Sequence, residues 1–456
     1  MKKIIIMMLM LGGFGLLETS QNLTALADTV TAQTSNSSTA TANATPTPVL
    51  KLKGSTRILV GEHKRLAGKI TNMTARPHWS SSNSKIIKVN QAGKIKGIKA
   101  GKATIKISYQ HVTKSKTIKV TQQTSSDLSR RFKRAHKGQT ITLVGNFKMK
   151  KDVKLPTAKN VKVKATKASF TGKRGFFYGI VNRGLKWTGG YFYSGGHSFR
   201  LLRTQNAVFN GLTFHQACGV GGHIFDLMGS KHVKITNCQF YGYGHTLNLK
   251  KLRKKGHHGE YAEAIQTDYA NYNSGGGNFN RYGKGHFNHQ PTSYVTVTHN
   301  TWRPEYSGKR LVSLAQTAIG EHDTISSNRR KIKHVTFEYN LIKNPIRLSG
   351  MGADTNYFGA PVHFESSSSI SIKHNVFQAT LKRARPENWI IISNQYGHMP
   401  HTVNVKISHN QFKGYWPSRS AVRLITKGAH FIKHVSVTHN FFNGRRLLQK
   451  IGHVRL

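Results

Sequence analysis

The chain has 456 residues and carries 70 Lys and Arg against 16 Asp and Glu, a formal charge of +54. That length allows two or three domains, and the charge calls for a polyanionic neighbour. Two cysteines exclude a disulfide scaffold and a thiolate metal cluster.

Residues 1–27 read as a secretory signal peptide, with Lys2 and Lys3 before an apolar run from Ile4 to Leu17 and a small-residue cleavage motif at Ala25-Leu26-Ala27. The run is too short for a membrane span, and no second candidate follows. The expected location is therefore outside the cell, with non-covalent retention at a bacterial surface. Residues 28–47, rich in Thr, Ala, Ser, Asn and Pro, read as a disordered linker.

From residue 48 to about 121 short alternating segments such as ATIKISY and KTIKVTQ are separated by Gly- and Ser-rich turns, the rhythm of a small β-sandwich. The stretch from Trp79 to Ser108, WSSSNSKIIKVNQAGKIKGIKAGKATIKIS, resembles the group 2 bacterial immunoglobulin-like domain, with Trp79, Gly93, Gly97 and Gly101 in its signature places. In that family the module is a spacer or an adhesive unit, and Trp79 reads as a core anchor. Residues 51–119 hold 17 Lys and Arg against Glu62 alone.

The rest of the chain, 125–456, is built on a repeated phrase. It reads YVTVTHNTW from Tyr294, HVTFEYNLI from His334, SISIKHNVF from Ser369, NVKISHNQF from Asn404 and HVSVTHNFF from His434. Earlier copies are HVKITNCQF from His232 and the looser AVFNGLTF from Ala207. Each is a strand of period two, a sharp turn and the start of a second strand, a unit that buries its apolar face only by stacking on its neighbours. The pattern resembles the right-handed parallel β-helix of the pectin-lyase-like superfamily. An all-β solenoid follows, and the resemblance assigns Asn237, Asn300, Asn340, Asn375, Asn410 and Asn440 to a structural ladder inside one turn. His299, His374, His409 and His439, each just before a turn Asn, read as structural. Cys218 and Cys238 lie about one coil apart, which leaves an inter-coil disulfide and two buried thiols both open.

Acids are scarce, yet 10 of the 16 fall between Asp226 and Glu365. Alternation within EAIQTDYA and PVHFESS turns Ile265, Thr267, Val362 and Phe364 inward, and Gln266, Asp268, His363 and Glu365 outward. Registering Asp226 with Asp268 and Glu365 gives one exterior row of carboxylates about 5 to 10 Å apart, a spacing that suits glycosidic acid–base work or Ca²⁺. The superfamily resemblance places active sites on such a row. The candidate catalytic set is Asp226, Asp268, Glu365, His363 and Glu263, with Asp226, Asp268 and Glu365 also a candidate Ca²⁺ site. Two long insertions flank the Asp268 strand. One supplies Lys250, Lys251, Arg253, Lys254 and Lys255 for an acidic chain, and the other supplies Tyr272, Phe279 and Tyr282 as rings to stack on sugars. The paired Asp-Asp, Gly-His-Gly and Arg-Ile-Lys motifs of polygalacturonases are absent from the sequence.

The expectation is a surface-associated protein that cleaves polysaccharide by hydrolysis or elimination, the alternative being a non-catalytic adhesin or anionic-glycan binder. The partners expected of an exported basic chain are uronate polymers, teichoic acids or host glycans, with nucleic acid disfavoured. The 25 His predict tighter attachment at pH 5 than at pH 7.

Overall fold

The computed structural model describes residues 48–71, 76–172, 175–194, 198–216, 223–243, 263–272, 277–321, 330–346, 360–394, 401–417 and 419–456. The signal peptide and linker read in the sequence lie outside them. The described residues belong to one compact unit, Pro48–Leu456.

Its N-terminal part, from Val49–Lys53 to Val112–Thr121, is a small β-structure of antiparallel ladders, with Arg57–Leu59 added parallel to Val112–Thr121, around Ile87, Ile95, Ile105, Ile107 and Ile118, all fully buried. Trp79 is 5 % exposed and is a core residue. Gly93, at φ +70°, lets the indole lie against the turn, because a Cβ there would meet Cζ2 at 2.8 Å. A main-chain bond from Asn146 N–H to Val60 O, 2.6 Å, joins this module to the solenoid.

Helix Ser125–Lys133 closes the first coil, its start satisfied by Thr124 N–H donating to Asp127 Oδ2 at 2.8 Å. Leu128 and Phe132 on its buried face cover aromatic rings that would otherwise meet water. Beyond it the chain winds as a right-handed parallel β-helix. A 20-stranded sheet, bent at the turns, supplies two walls and a 10-stranded sheet the third. Like residues stack from coil to coil. Val233, Val295, Val335, Ile370, Val405 and Val435 are in register on the first wall, and Phe240, Trp302, Ile342, Phe377, Phe412 and Phe442 on the second. Inward rings stack along the axis, Phe192 on Phe214 at 4.8 Å and Phe240 on Trp302 at 4.6 Å. Each buried ring contributes on the order of 2–3 kcal/mol.

The turn between these walls adds one feature to the sequence reading and corrects another. The left-handed residue is the one before Asn. His299, Tyr339, His374, His409 and His439 have φ between 52° and 58°, while the following Asn does not. Their rings form an external stack with centroids 4.8 to 5.2 Å apart, set by the strand spacing. Burial first, then His374, His439 and Lys373, lowers the pKa of His409. That imidazole charges below the usual histidine range, so acid adds less to the surface charge at pH 5 than a plain count of His implies. Second, the internal ladder runs through Asn300, Asn340, Asn375, Asn410 and Asn440, and its next place is taken by Cys238, not Asn237. Asn237 sits in the left-handed position at φ 55° and donates to Asn210 Oδ1 on the outside.

Cys238 is a free, buried thiol that fills the Asn role. The amides of Gly211 and Leu212 bond to its sulfur, and burial pushes its pKa up to about 12. Cys218 lies outside the described residues. In a Cys218→Ser variant at about pH 8, iodoacetamide should leave folded Cys238 unmodified and label it only after denaturation, since the thiolate is the reactive form. Rapid labelling of the native protein, followed by mass spectrometry, would contradict this placement.

Candidate functional site on the outer face of the third wall

The 10-stranded sheet is where buried polar side chains gather. On its inner side Phe199, Phe225, Ile265, Ile319, Val362, Ile390 and Val422 are stacked in register and fully or almost fully buried. The next position on each strand points outward. There the row reads Arg200, Asp226, Gln266, Gly320, His363, Ile391 and Arg423. A second outward row, two residues further along, holds Met228 beside Asp268 and, on a later coil, Glu365 beside Ser393.

The outward orientation of Gln266, Asp268, His363 and Glu365 matches the alternation in the sequence. Asp226 belongs to the Gln266 row and Met228 stands beside Asp268, so Asp226, Asp268 and Glu365 do not share one row. The cause is a two-residue offset that only the backbone pairing reveals. Among the described residues no three His, Cys, Asp or Glu side chains converge as a metal site. Glu263 has the parity of inward-facing Ile265 and lies at the start of the strand, fully buried, with Oε1 3.8 Å from His223 Nδ1. It is a corner residue outside both rows.

The outer rows are themselves 0 to 9 % exposed, where the outside of a solenoid ordinarily carries solvated side chains. Arg200 Nε lies 3.5 Å from Asp226 Oδ2, and Gln266 Nε2 donates to Asp268 Oδ2 at 2.5 Å. Burial lowers the Arg200 pKa, opposed by Asp226 and Asp152.

Gly320 shapes the centre of the row. The His363 ring lies across it, and a Cβ at Gly320 would stand 2.2 Å from His363 Nε2. At its other nitrogen His363 Nδ1 is 3.2 Å from Ala360 O, a contact that orients the ring with a proton on Nδ1. A histidine oriented in this way, aimed across a glycine gap toward a row containing Asp226 and Gln266, is equipped for proton transfer. Beside it Glu321 Oε2 accepts from Glu365 N–H at 2.7 Å and from Ser367 Oγ at 3.3 Å. Lys331 donates to His401 O and to Ser368 Oγ. Burial drives its pKa down to about 7, against the attraction of Glu321.

The flanking residues are divided. Lys250, Lys251, Arg253, Lys254 and Lys255 lie outside the described residues. Tyr272 is 58 % exposed, an available ring face. Phe279, on the short helix Gly277–Gly283, is fully buried beside Leu202, Met228 and Ala270, with the Arg200 guanidinium over its ring at 5.6 Å. It is a cover for the sheet rather than a sugar platform. Tyr282 stacks on Tyr178 at 4.3 Å and donates its hydroxyl to Asp152 at 3.0 Å. Arg200, Gly320, Glu321, Lys331 and Arg423 were not singled out from sequence. An Arg flanked by apolar residues in FRLL and AVRLIT was the available signal for two of them.

With the geometry established, similarity to known proteins can be placed on it. Residues 53–120 match the Bacterial Ig-like domain (group 2). No sequence among the curated proteins matches the chain. Among solved structures, the surface protein and adhesin PfbA of Streptococcus pneumoniae is similar, with 12 % identity, a TM-score of 0.43 and coverage of 74 % of this chain and 97 % of that one. An alginate lyase from Paenibacillus sp. str. FPU-7 has 12 % identity and a TM-score of 0.37, covering 73 % and 98 %. A Family 28 exopolygalacturonase of Yersinia enterocolitica has 10 % identity and a TM-score of 0.37, covering 90 % and 98 %. Function is therefore read from the side chains. Among the described residues no helix is long and apolar enough to cross a membrane.

Proposed function

We propose that this is an exported, surface-associated protein that cleaves an acidic polysaccharide on the outer face of its third wall. The observation that carries the reading is the His363 imidazole over Gly320, in one outward row with Asp226 and Gln266 and beside the row of Asp268 and Glu365. Buried ionisable groups are costly, and several of them gathered on one outer face are candidates for chemistry.

In elimination, His363 Nε2 takes the proton from the carbon next to a uronate carboxylate. The glycosidic C–O bond then breaks, a C=C bond forms and the leaving oxygen takes its proton from the His363 imidazolium. Arg423, two coils from His363 along the row, favours the negative charge that builds on the substrate. In hydrolysis, Asp268 and Glu365 serve as acid and base. Two coils separate them by about 10 Å, at the wide, inverting end of glycosidase spacings. A screen of the mature protein on uronate-containing, neutral and wall-derived polymers tests the reading. Reducing ends report any cleavage, and ultraviolet absorbance from new C=C bonds separates elimination from hydrolysis.

The second reading, a non-catalytic binder of anionic glycans, is favoured by the charge of +54. It predicts salt-sensitive binding to the acidic polymers without new ends.

A further inference from the structure

Over the corner between the second and third walls, on the last three coils, there is a cavity of 800 Å³ lined in part by Arg385, Trp416, Arg419, Phe442, Arg445 and Arg446. Consecutive coils supply the arginines. Arg419 N–H donates to Glu387 O at 3.0 Å, and Ala421 N–H to Arg446 O at 3.1 Å, which sets the three connecting loops side by side at the strand spacing. Arg385 is held by its Nε–H donating to Trp416 O at 2.5 Å, so its fork is tied to the segment that carries the indole. Glu387, 3.4 Å from Arg419 Nε, is the one acid at this end of the chain, against four guanidinium groups. Trp416 is 42 % exposed, which leaves ring surface for a ligand. Gln449 Oε1, also at the cavity, is shielded from solvent with no donor among the described residues.

We infer that this cavity is a second glycan site, separate from the outer rows, which holds an acidic sugar residue. The guanidinium forks take its carboxylate or sulfate in paired hydrogen bonds, and Trp416 packs against the sugar ring. Lysines cover most of this protein, yet here arginines from successive coils converge on one cavity with an aromatic face. General attraction to polyanions requires no such arrangement. The inference shares only the acidic polysaccharide with the reading above, and equilibrium binding measures it whether or not the chain is cleaved.

The test is calorimetric titration of the full mature chain with a galacturonate hexamer, a sulfated hexasaccharide, a neutral hexamer and inorganic polyphosphate. Salt is held at about 0.15 M, where long-range attraction is screened. The Arg445→Ala/Arg446→Ala double variant should weaken binding of an acidic hexamer about tenfold or more, the effect of losing charge-assisted hydrogen bonds. Trp416→Ala should weaken the acidic sugars but leave polyphosphate unchanged. Lys51→Ala/Lys114→Ala, which removes the same charge from the N-terminal module, should change affinity less than about twofold. Whichever of the uronate and sulfated hexamers binds more tightly names the anionic group. Equal losses in the two double variants, or no loss in Arg445→Ala/Arg446→Ala, would overturn the inference. So would a Trp416→Ala variant that binds the sugars as tightly as the wild type. Circular dichroism of each variant confirms the fold.

Discussion

In elimination, the His363→Ala variant is expected to lose about 10²- to 10⁴-fold in cleavage rate, the contribution of a positioned proton-transfer group. Gly320→Ala should do comparable damage with the imidazole still in the chain, because the new methyl would occupy the space of Nε2. The two changes differ in kind. One removes the base and the other moves it, so a shared loss with unchanged circular dichroism ties activity to the position of the ring. Initial rates of reducing-end formation provide the measurement. A rate within about threefold of wild type in His363→Ala would assign the histidine a packing role only.

The second large effect concerns the turn ladder. Asn375 is fully buried. Its Oδ1 accepts from Asn340 N–H at 2.9 Å and from Asn340 Nδ2 at 3.1 Å, and its Nδ2 donates to Phe337 O at 2.8 Å. Asn375→Ala strands a buried amide and a buried carbonyl, both in the preceding coil, at about 1–3 kcal/mol for each group. The expected destabilisation is about 2–6 kcal/mol in a denaturant titration. Asn440, at the open end of the ladder, is partly exposed, so water replaces some of what Asn440→Ala removes. Its cost should be under half that of Asn375→Ala. Equal costs at the two positions would mean that the bonds inside the turn add little beyond what a solvated end provides.

The solenoid was legible because its period is written in apolar residues. Val at alternate positions, followed by Phe or Trp two places after the turn, identifies both strands of a coil and the wall each faces. What misled was the letter Asn. Aligning HVKITNCQF on its asparagine slips it by one residue against YVTVTHNTW, whereas aligning on Val233 and Ile235 puts Cys238 in the ladder, as the structure does. The same limit governs the outer rows. Alternation tells which side of a strand Asp268 and His363 occupy, and it fixed those sides. It carries no information on which residue of a neighbouring coil lies opposite, because intervals of 40 and 63 residues between successive turns hide the offset. Asp226 was therefore placed two residues from its true partner. Gly320 is the clearest case of a role absent from the sequence. In TAIG it looks like a weak strand residue, and its meaning comes only from the His363 ring one coil away.

The central claim is that the buried outer rows act on glycan, and the most direct test is the polymer screen run on wild type and Asp268→Asn side by side. The account predicts new ends from an acidic polymer with the wild type; where those ends carry no C=C bond the cut is hydrolysis and Asp268→Asn makes at least about a hundredfold fewer, both proteins being equally folded. Salt-sensitive binding by both proteins, with no new ends from any polymer, would contradict it.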